Sequence, residues 1–352
     1  MARVTLQTIA DRLGISRMTV SNAFSRPDQL SDSLRRRVLA AADELGYVGP
    51  DPAARALARG STGAVGILLT DSLKYAFTDE VATSFLGAVA DELAPSGRAL
   101  TLLSTNEHDD VVPARDLALD AALVYSCSES PARDWLMRRR LPLVLVDQDP
   151  LPGIPSVNVD DRGGARMAAQ HIIELGHERV GIVTVALDGS RSFVDPRANI
   201  RGHPQRQRML GWLETLDAAS VQPTVVQTRS NTDEEADQAA HALLATVERP
   251  TAVLCFSDVL ALGVMRVASE LGLAVPGHLS VVGFDDSPAA HRSTPRLTTV
   301  RQDVAAKGRL AAEAVIGAID AAASGSTPAR ARHRVLPTEL IVRDSTARSE
   351  PR

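Results

Sequence analysis

The most constraining feature of this sequence is a regular alternation of short apolar stretches with helical stretches, which begins at Ala64. Strands are predicted at 64–70, 99–105, 121–127, 142–148, 179–185, 224–228, 251–258 and 279–286. Helices are predicted at 81–93, 164–175, 206–216, 234–247, 260–271 and 305–323, before a last strand at 335–342. Such alternation is typical of parallel, doubly wound α/β sheets, and the strand count suffices for two of them.

The predicted strands end in acidic and hydroxyl side chains. These are Asp71-Ser72, Ser104-Thr105, Ser126, Asp147, Ser257-Asp258 and Asp285-Asp286. Ligands of open parallel sheets bind outside the carboxyl ends of the strands, and acids with hydroxyls suit a sugar or polyol. The competing interpretation is that such residues merely cap the helices that follow.

Charge is unevenly distributed along the 352 residues. Residues 1–60 contain nine arginines and six acidic residues, a net +3, so the total of −5 leaves −8 for the remainder. A basic head on an acidic body favours a head that meets phosphate groups, although +3 also lies within ordinary fluctuation. The two cysteines, Cys127 and Cys255, are expected to be buried, and no metal site or cofactor is predicted. With no apolar run of membrane-spanning length, a cytoplasmic, nucleoid-associated protein is expected.

The first 48 residues predict three helices. Thr5 precedes a helix that Gly14 ends, Ser16 precedes a second helix from Arg17 to about Phe24, and a third runs from about Ser31 to Leu45. This spacing is typical of a helix-turn-helix, whose second helix enters the major groove of DNA. A generic three-helix bundle would show the same spacing.

The second helix presents polar residues suited to base edges. Its outward positions are Arg17, Met18, Ser21 and Asn22, of which Arg can pair with guanine and Asn with adenine. Short hydroxyl residues near the helix starts could contact phosphates; these are Thr5, Ser16, Thr19 and Ser31.

Residues 51–59 predict a short helix with Asp51 as N-cap and Gly60 as stop. A helix of barely two turns is marginal in water, so it is expected to order only when something packs on it. A plain inter-domain linker is the alternative.

The run Val4-Thr5-Leu6-Gln7-Thr8-Ile9-Ala10, then Gly14-Ile15-Ser16 and Thr19-Val20-Ser21, closely resembles the DNA-binding signature of the LacI/GalR (lactose-repressor) family. Leu45-Gly46-Tyr47 and Ala54-Arg55-Ala56-Leu57 continue the resemblance. It implies a sequence-specific transcription regulator, a repressor in most members, that binds a near-palindromic operator as a homodimer. It also implies that Leu57 wedges into the minor groove, that Arg55 reaches phosphate, and that Leu6 and Tyr47 join the DNA-contacting residues.

The resemblance covers nearly the whole chain. It implies a helix-turn-helix domain (1–48), a hinge (49–60), an effector and dimerisation domain (61–345) and a tail (346–352). The effector domain would be similar to periplasmic sugar-binding proteins, with an N-subdomain (61–160 and 303–328) and a C-subdomain (161–302 and 329–345) joined by three crossovers. The implied effector contacts, with the strand-end Asp71, are Tyr75, Phe77, Asp147, Arg208, Ser257, Asp258, Asp285 and Gln302, whereas His177 is implied to be scaffold.

An enzyme is disfavoured because the sequence lacks the corresponding motifs. No G-x-G-x-x-G turn follows the first predicted strand, and no P-loop, H-E-x-x-H or G-x-S-x-G occurs. A nucleotide-dependent enzyme and a ligand-independent architectural DNA-binding protein remain as alternatives to the ligand-controlled regulator.

Overall fold

The computed structural model describes residues 4–49, 51, 54, 56–57, 60–69, 73–104, 113–126, 130–186, 192–195, 197, 202–325 and 332–349. The chain forms two compact units, Met1–Gly63 and Ala64–Arg352. In the described residues, no helix has the length and apolar character needed to cross a membrane.

The first unit contains the three predicted helices, α1 (Leu6–Leu13), α2 (Arg17–Ser25) and α3 (Asp32–Glu44), with a 3₁₀ turn at Pro27–Gln29. The hydroxyls of Thr5, Ser16 and Ser31 accept hydrogen bonds from backbone N–H groups of their first turns, as the sequence predicts for N-caps. Gly14 ends α1 with φ of 66°, a left-handed conformation that a residue without Cβ adopts at little cost.

The apolar faces of α1, α2 and α3 meet in one small core. Ile9, Val20 and Val38 are completely buried there, with Ala10 and Ala41 beside them. Small side chains on α1 and α3 let three short helices approach closely, so burial stabilises helices that would be marginal alone.

The segment after the third helix has helical backbone at its described positions Ala54, Ala56 and Leu57. Asp51 Oδ1 accepts from the Ala54 N–H at 3.2 Å, the arrangement expected of an N-cap. Gly60 has φ of 67°.

The first sheet of the second unit contains β1 (Ala64–Leu69), β2 (Ala99–Ser104), β3 (Ala121–Tyr125), β4 (Leu143–Val146), β5 (Ser156–Val159) and the late strand His333–Leu336, named β12. The spatial order is β12-β5-β4-β3-β1-β2, and every pairing is parallel. This sheet is the basis of the N-subdomain.

The second sheet contains β6 (Val180–Val185), β7 (Ser192–Val194), β8 (Thr224–Thr228), β9 (Ala252–Cys255), β10 (Ser280–Asp285), β11 (Thr298–Gln302) and β13 (Thr338–Ile341). Its order is β13-β11-β10-β9-β6-β8-β7, with only the edge strands β7 and β13 antiparallel to their neighbours. This sheet is the basis of the C-subdomain. The two sheets confirm the predicted doubly wound α/β class.

Helices cover both sheets. They are α4 (Tyr75–Thr78), α5 (Glu80–Leu93), α6 (Pro113–Asp116), α7 (Pro131–Arg138), α8 (Asp161–Glu174), α9 (His203–Ala218), α10 (Asp233–Leu244), α11 (Asp258–Glu270), α12 (Pro288–Arg292) and α13 (Val304–Ala323). The helix α13 packs on α5 so closely that a Cβ at Gly308 would lie 2.8 Å from the Phe85 carbonyl oxygen. Glycine at this position therefore sets the spacing of the two helices.

The chain crosses between the subdomains three times, after β5, after β11 and between β12 and β13. One prediction is wrong at the third crossing. The sequence suggests a single last strand, 335–342, within the C-subdomain, but His333–Leu336 pairs with β5 in the first sheet and only Thr338–Ile341 joins the second.

The predicted tail is also corrected, because the chain stays packed as far as Ser349. Ser345 is fully buried, and its Oγ donates to the Val281 carbonyl at 2.6 Å and accepts from the Thr298 N–H at 2.8 Å. The buried His177 lies with Nε2 3.0 Å from the Ala347 carbonyl oxygen, so its role in the scaffold includes holding this segment. The sequence predicts a polar tail there, but these polar groups are hydrogen-bonded inside the protein.

Cys255 is buried and free, as predicted, and burial raises the pKa of its thiol well above the usual value. Cys127 lies outside the described residues.

Candidate effector site and DNA-binding face

The carboxyl ends of the two sheets meet through a chain of buried polar side chains. Asp147 directly follows β4, Asp285 ends β10 and Gln302 ends β11. Asp161 opens α8, just beyond β5. Open parallel sheets bind ligands at these edges, so the fold brings together residues far apart in sequence at the position where a ligand is expected.

Arg208 projects from α9 into this region and is almost completely buried. Its Nε donates to Asp161 Oδ1 at 2.8 Å, and its Nη1 donates to the Phe256 carbonyl oxygen. The guanidinium carbon lies 3.5 Å from the centroid of the Phe284 ring and 4.4 Å from that of Phe256. Packing between two aromatic rings fixes the plane of the guanidinium as well as its position.

Lys307, the fourth residue of α13, is a second buried cation of the region. Its Nζ donates to Asp147 Oδ2 at 2.6 Å and to Gln302 Oε1 at 3.0 Å. Gln302 Nε2 in turn donates to Asp285 Oδ1 at 2.7 Å, which lies 3.8 Å from Arg208 Nη1. The result is a continuous chain, here called the cleft network, formed by Asp147, Lys307, Gln302, Asp285, Arg208 and Asp161.

Two members of the cleft network have unusual backbone conformations. Asp147 has φ of 54° and Asp285 has φ of 124°, both in regions that residues with a side chain rarely adopt. Such conformations cost free energy and persist where surrounding structure enforces them, often at ligand sites.

Burial dominates the electrostatics of the carboxyl groups. It raises the pKa of Asp161 despite the neighbouring Arg208, and raises the pKa of Asp285 well above its usual range. Burial likewise raises the pKa of Asp258 to about 6, although Thr299 and Ser287 donate hydrogen bonds to its carboxylate. Desolvation disfavours the charged form of each acid, so the region resists further negative charge.

Two carboxylate oxygens of the cleft network are buried without a hydrogen-bond partner among the described residues, Asp147 Oδ1 and Asp161 Oδ2. On α9, the Gln205 Oε1 atom is also buried without a hydrogen-bond partner among the described residues. Buried polar atoms are almost always hydrogen-bonded in folded proteins, so unsatisfied acceptors at a strand-end cleft indicate a place for a ligand that brings donors.

Direct contacts also join the two subdomains across the cleft. Asn231 Nδ2 donates to Asp79 Oδ2 at 3.2 Å, linking the loop before α10 to the start of α5. Arg206 Nη2 lies 2.5 and 2.6 Å from the two carboxylate oxygens of Asp149, beyond β4. These contacts hold the facing edges together.

Two of the residues predicted as effector ligands, Ser257 and Asp258, are not part of the cleft network. Ser257 caps α11 and donates to Asn231 Oδ1 at 2.5 Å. Asp258 accepts from Thr299 Oγ1 at 2.5 Å and from the Ser287 N–H at 2.7 Å. The capping alternative therefore describes Ser257, whereas both carboxylate oxygens of Asp258 accept hydrogen bonds from other segments of the C-subdomain.

The predicted residues after β1 are only partly described. Phe77 lies on α4 with its side chain 71% exposed, and it is not part of the cleft network. Asp71 and the side chain of Tyr75 lie outside the described residues. By contrast, Asp147, Arg208, Asp285 and Gln302, predicted separately, lie together.

Sequence reasoning missed several polar residues of the cleft, which are Asp79, Asp149, Asp161, Gln205, Asn231 and Lys307. Lys307 carried the one usable signal, since it is one of two lysines in the chain and lies within an alanine-rich helical stretch.

A cavity of about 720 Å³ lies elsewhere in the second unit. It is lined by Leu310 and Ala314 of α13 and by Leu141 and Ile154 near the amino ends of β4 and β5. Those ends point away from the edge where open parallel sheets bind ligands.

The first unit presents the predicted base-reading positions on its surface. Arg17 is exposed and the Met18 side chain is 69% exposed, whereas Thr19, Ser21 and Asn22 are half-buried. The Asn22 amide donates to Gln29 Oε1 at 3.2 Å. Of the predicted base-reading residues of α2, Arg17 and Met18 are thus the most exposed to solvent.

Three other predicted DNA contacts have different surroundings. Leu6 and Tyr47 are half-buried against the three-helix core, and the Tyr47 ring packs edge-on against Phe24 with centroids 5.7 Å apart. Leu57 is 87% exposed, unusual for a large apolar side chain. Arg55 lies outside the described residues.

Two protein-family models match segments of this chain. Residues 5–49 match the model described as "Bacterial regulatory proteins, lacI family", and residues 169–346 match "Periplasmic binding protein-like domain". A protein named HTH-type transcriptional regulator from Mycolicibacterium smegmatis is 38% identical over 88% of this chain and 89% of its own length.

Solved structures of similar proteins cover almost the entire chain. A LacI-family transcriptional regulator from Corynebacterium glutamicum is 32% identical, covers 99% of both chains and has a TM-score of 0.70. A structure of the transcriptional regulator CelR in complex with cellobiose is 26% identical, covers 97% of this chain and 100% of its own, and has a TM-score of 0.69.

Proposed function

This chain belongs to the LacI family of bacterial regulatory proteins, and on that premise we propose that it is a transcriptional repressor whose operator affinity is set by a neutral sugar or polyol in the cleft. It is a DNA-binding transcriptional regulator and not an enzyme, like the relatives named above. The finer statements, the repressor role, the effector class and the residues involved, are our inference. The observation that carries the effector class is the pair of unsatisfied carboxylate oxygens in the cleft network.

On the DNA side, α2 would lie in the major groove. Arg17 and Met18 are accessible there, so Arg17 would read a guanine and Met18 would contact a thymine methyl group. Hydroxyls of Thr5, Ser16 and Ser31 would contact phosphates, which fixes the register of the helix without reading sequence.

The short helix of residues 51–59, the hinge, would be stable only when it packs against a partner. Leu57 is held on helical backbone with most of its surface in water, an unfavourable state that a partner would relieve. Inserted between base steps of the minor groove, Leu57 would exchange that exposure for contact with the bases.

Because one helix-turn-helix covers one half-site, the protein would act as a two-fold homodimer on a near-palindromic operator, in the cytoplasm. Ligand binding at the contacts between the subdomains would shift their closure and hence the spacing of the two hinges. Ligand and operator would then share one coupling free energy, typically about 1–3 kcal/mol.

The effector class follows from the chemistry of the cleft. Unsatisfied acceptors at Asp147 and Asp161 call for a ligand with several donors, and hydroxyl groups supply them without charge. A phosphorylated or acidic sugar would bring negative charge towards acids whose pKa is already raised by burial.

The DNA assignment is tested by selecting the preferred duplex from random sequence with the purified protein. Arg17→Ala should then weaken binding to the selected duplex by about 1–3 kcal/mol at fixed salt and leave random-sequence binding almost unchanged. The matched control is Arg36→Ala, an exposed arginine of α3. Failure to prefer any duplex over random DNA would refute the proposal.

The hinge assignment has its own matched pair. Leu57→Ala should weaken binding to the selected duplex more than binding to random DNA, whereas Val48→Ala, which also removes an exposed apolar side chain, should affect neither. Equal effects of the two variants would rule out the wedge.

The effector assignment is tested with a thermal-shift panel of neutral sugars and polyols, sugar phosphates and sugar acids. We expect neutral members to raise the melting temperature and to change operator affinity by about 5–150-fold. Tight, sequence-specific DNA binding without a response to any ligand would favour the alternative of a ligand-independent architectural protein.

A further inference from the structure

A lysine is energetically unfavourable at the buried position of Lys307. Its side chain is 1% exposed, and a buried ammonium group costs several kcal/mol unless it is paired and hydrogen-bonded. The residues that follow Lys307 on the same buried face of α13 are Ala311, Val315 and Ile319, so this face is otherwise apolar. A hydrophobic residue would fill the position without that cost, so the ammonium group itself requires an explanation.

The ion pair of Lys307 with Asp147 explains part of the reason for a buried ammonium group. Asp147 holds Nζ at 2.6 Å through Oδ2 only, and its other oxygen, Oδ1, is buried without a hydrogen-bond partner among the described residues. Lys307 therefore compensates the charge of Asp147 while leaving one of its acceptor atoms unoccupied. A structural ion pair would have no need of an unoccupied oxygen.

The charge balance of the cleft network depends on this one lysine. Its carboxyl groups are Asp147, Asp161 and Asp285, and its cations are Arg208 and Lys307. Arg208 serves Asp161 and Asp285, so without Lys307 the Asp147 charge would have no cation within 4.0 Å in the described part of the chain. A cation brought by a ligand would then be attracted to this place.

We propose that Lys307 is a specificity-determining residue: an internal counter-ion that makes the cleft bind a neutral polyol in preference to the same polyol carrying an amine. With Lys307 in place, Asp147 Oδ1 accepts a hydrogen bond from a hydroxyl group, and a ligand ammonium meets like charge at Nζ. With Lys307 removed, the same carboxylate pairs with a ligand ammonium. The inference rests on the proposed function, because it assumes that the effector occupies this cleft.

The experiment compares neutral sugars with their amino-deoxy counterparts, glucose with glucosamine, galactose with galactosamine and mannose with mannosamine, by thermal shift and calorimetry on the full-length protein. Wild-type protein should bind a neutral member more tightly than its amine. Lys307→Met should reverse that order, with a change in the ratio of affinities of about tenfold or more, since a hydrogen bond to a charged group is worth this much. The control is Arg309→Met, which removes a positive charge from an exposed position of the same helix.

A second variant covers the case in which Lys307→Met fails to fold. The double variant Lys307→Met/Asp147→Asn removes both charges and should fold, as judged by circular dichroism and thermal unfolding, and should lose the discrimination between neutral and amine ligands. An unchanged preference in either Lys307 variant would overturn the inference, as would a wild-type preference for the amines. If wild-type protein binds its operator but no sugar of any charge, the proposed effector class itself fails and the inference fails with it.

Discussion

Replacing Arg208 with methionine should destabilise the second unit severely. The side chain is buried, and its guanidinium is the cation that pairs with Asp161 Oδ1 at 2.8 Å, with Asp161 itself only 1% exposed. Breaking a buried ion pair by removing one partner typically costs about 3–5 kcal/mol, because the remaining charge is uncompensated. A truncation of Arg208 therefore tests the fold first and the ligand response second.

The matched control lies two residues earlier on the same helix. Arg206 also pairs with an aspartate, Asp149, but the two side chains are 33% and 59% exposed, so water screens the pair. Arg206→Met should cost less than about 1 kcal/mol. The two variants remove the same chemical group from α9 and differ in the burial of the pair.

The assay is thermal unfolding by calorimetry without ligand, with urea unfolding as a second measure. A domain of this size loses roughly 2–3 °C in Tm for each kcal/mol, so Arg208→Met should lower the transition by roughly 6–15 °C and Arg206→Met by about 3 °C at most. The double variant Arg208→Met/Asp161→Asn should regain part of the loss, because the uncompensated carboxylate is gone. Equal stability of the two single variants, or no recovery in the double variant, would refute the reasoning.

Three further predictions concern other parts of the chain. Asp258→Asn should raise the free energy of unfolding at pH 7.5 by up to about 3 kcal/mol. The pKa of the Asp258 carboxyl is about 6 in the folded protein and 3.8 unfolded, so protonation stabilises the fold below pH 4 and this contribution is lost as pH rises through 6. Urea unfolding from pH 5 to 8 should show that the stability gained by the variant grows with pH, and a constant gain would contradict the prediction. Ser16→Ala should lower the stability of the first unit by about 1 kcal/mol in thermal unfolding, because the Thr19 N–H loses its cap. Ser33→Ala is the control with the smaller expected loss, because the Ser33 hydroxyl contacts the Ser31 Oγ at 3.2 Å but is not itself an N-cap. Ser345→Ala should destabilise the second unit by about 1–3 kcal/mol in urea, through an unsatisfied Thr298 N–H, and an unaffected midpoint would mean that the C-terminal segment is dispensable.

The regular parts of the fold were predictable from the sequence because each carries a local signal. β6, β8 and β10 are apolar runs bounded by polar turns, and Thr5, Ser16 and Gly14 mark helix ends by their own chemistry. β5 was missed because it is only four residues long and includes the polar Asn158.

The site was predictable in part, for a different reason. Asp147 and Asp285 follow apolar runs directly, so the strand-end rule locates them. Lys307 and Asp161 lie on helices, and only the crossovers after β11 and β5 bring them to the same cleft. Pairings across 160 residues of chain leave no trace in local periodicity, and this also explains why the two strands around Pro337 were taken as one.

The three crossovers have a consequence for synthesis on the ribosome. The edge strand β12 of the first sheet is made of residues 333–336, and the edge strand β13 of the second follows at once, so neither sheet of the second unit is complete until these residues have been synthesised. The first unit is complete within its opening 63 residues. Because chains fold from the amino terminus as they emerge, the three-helix unit of the nascent protein can fold long before either sheet of the second unit is complete.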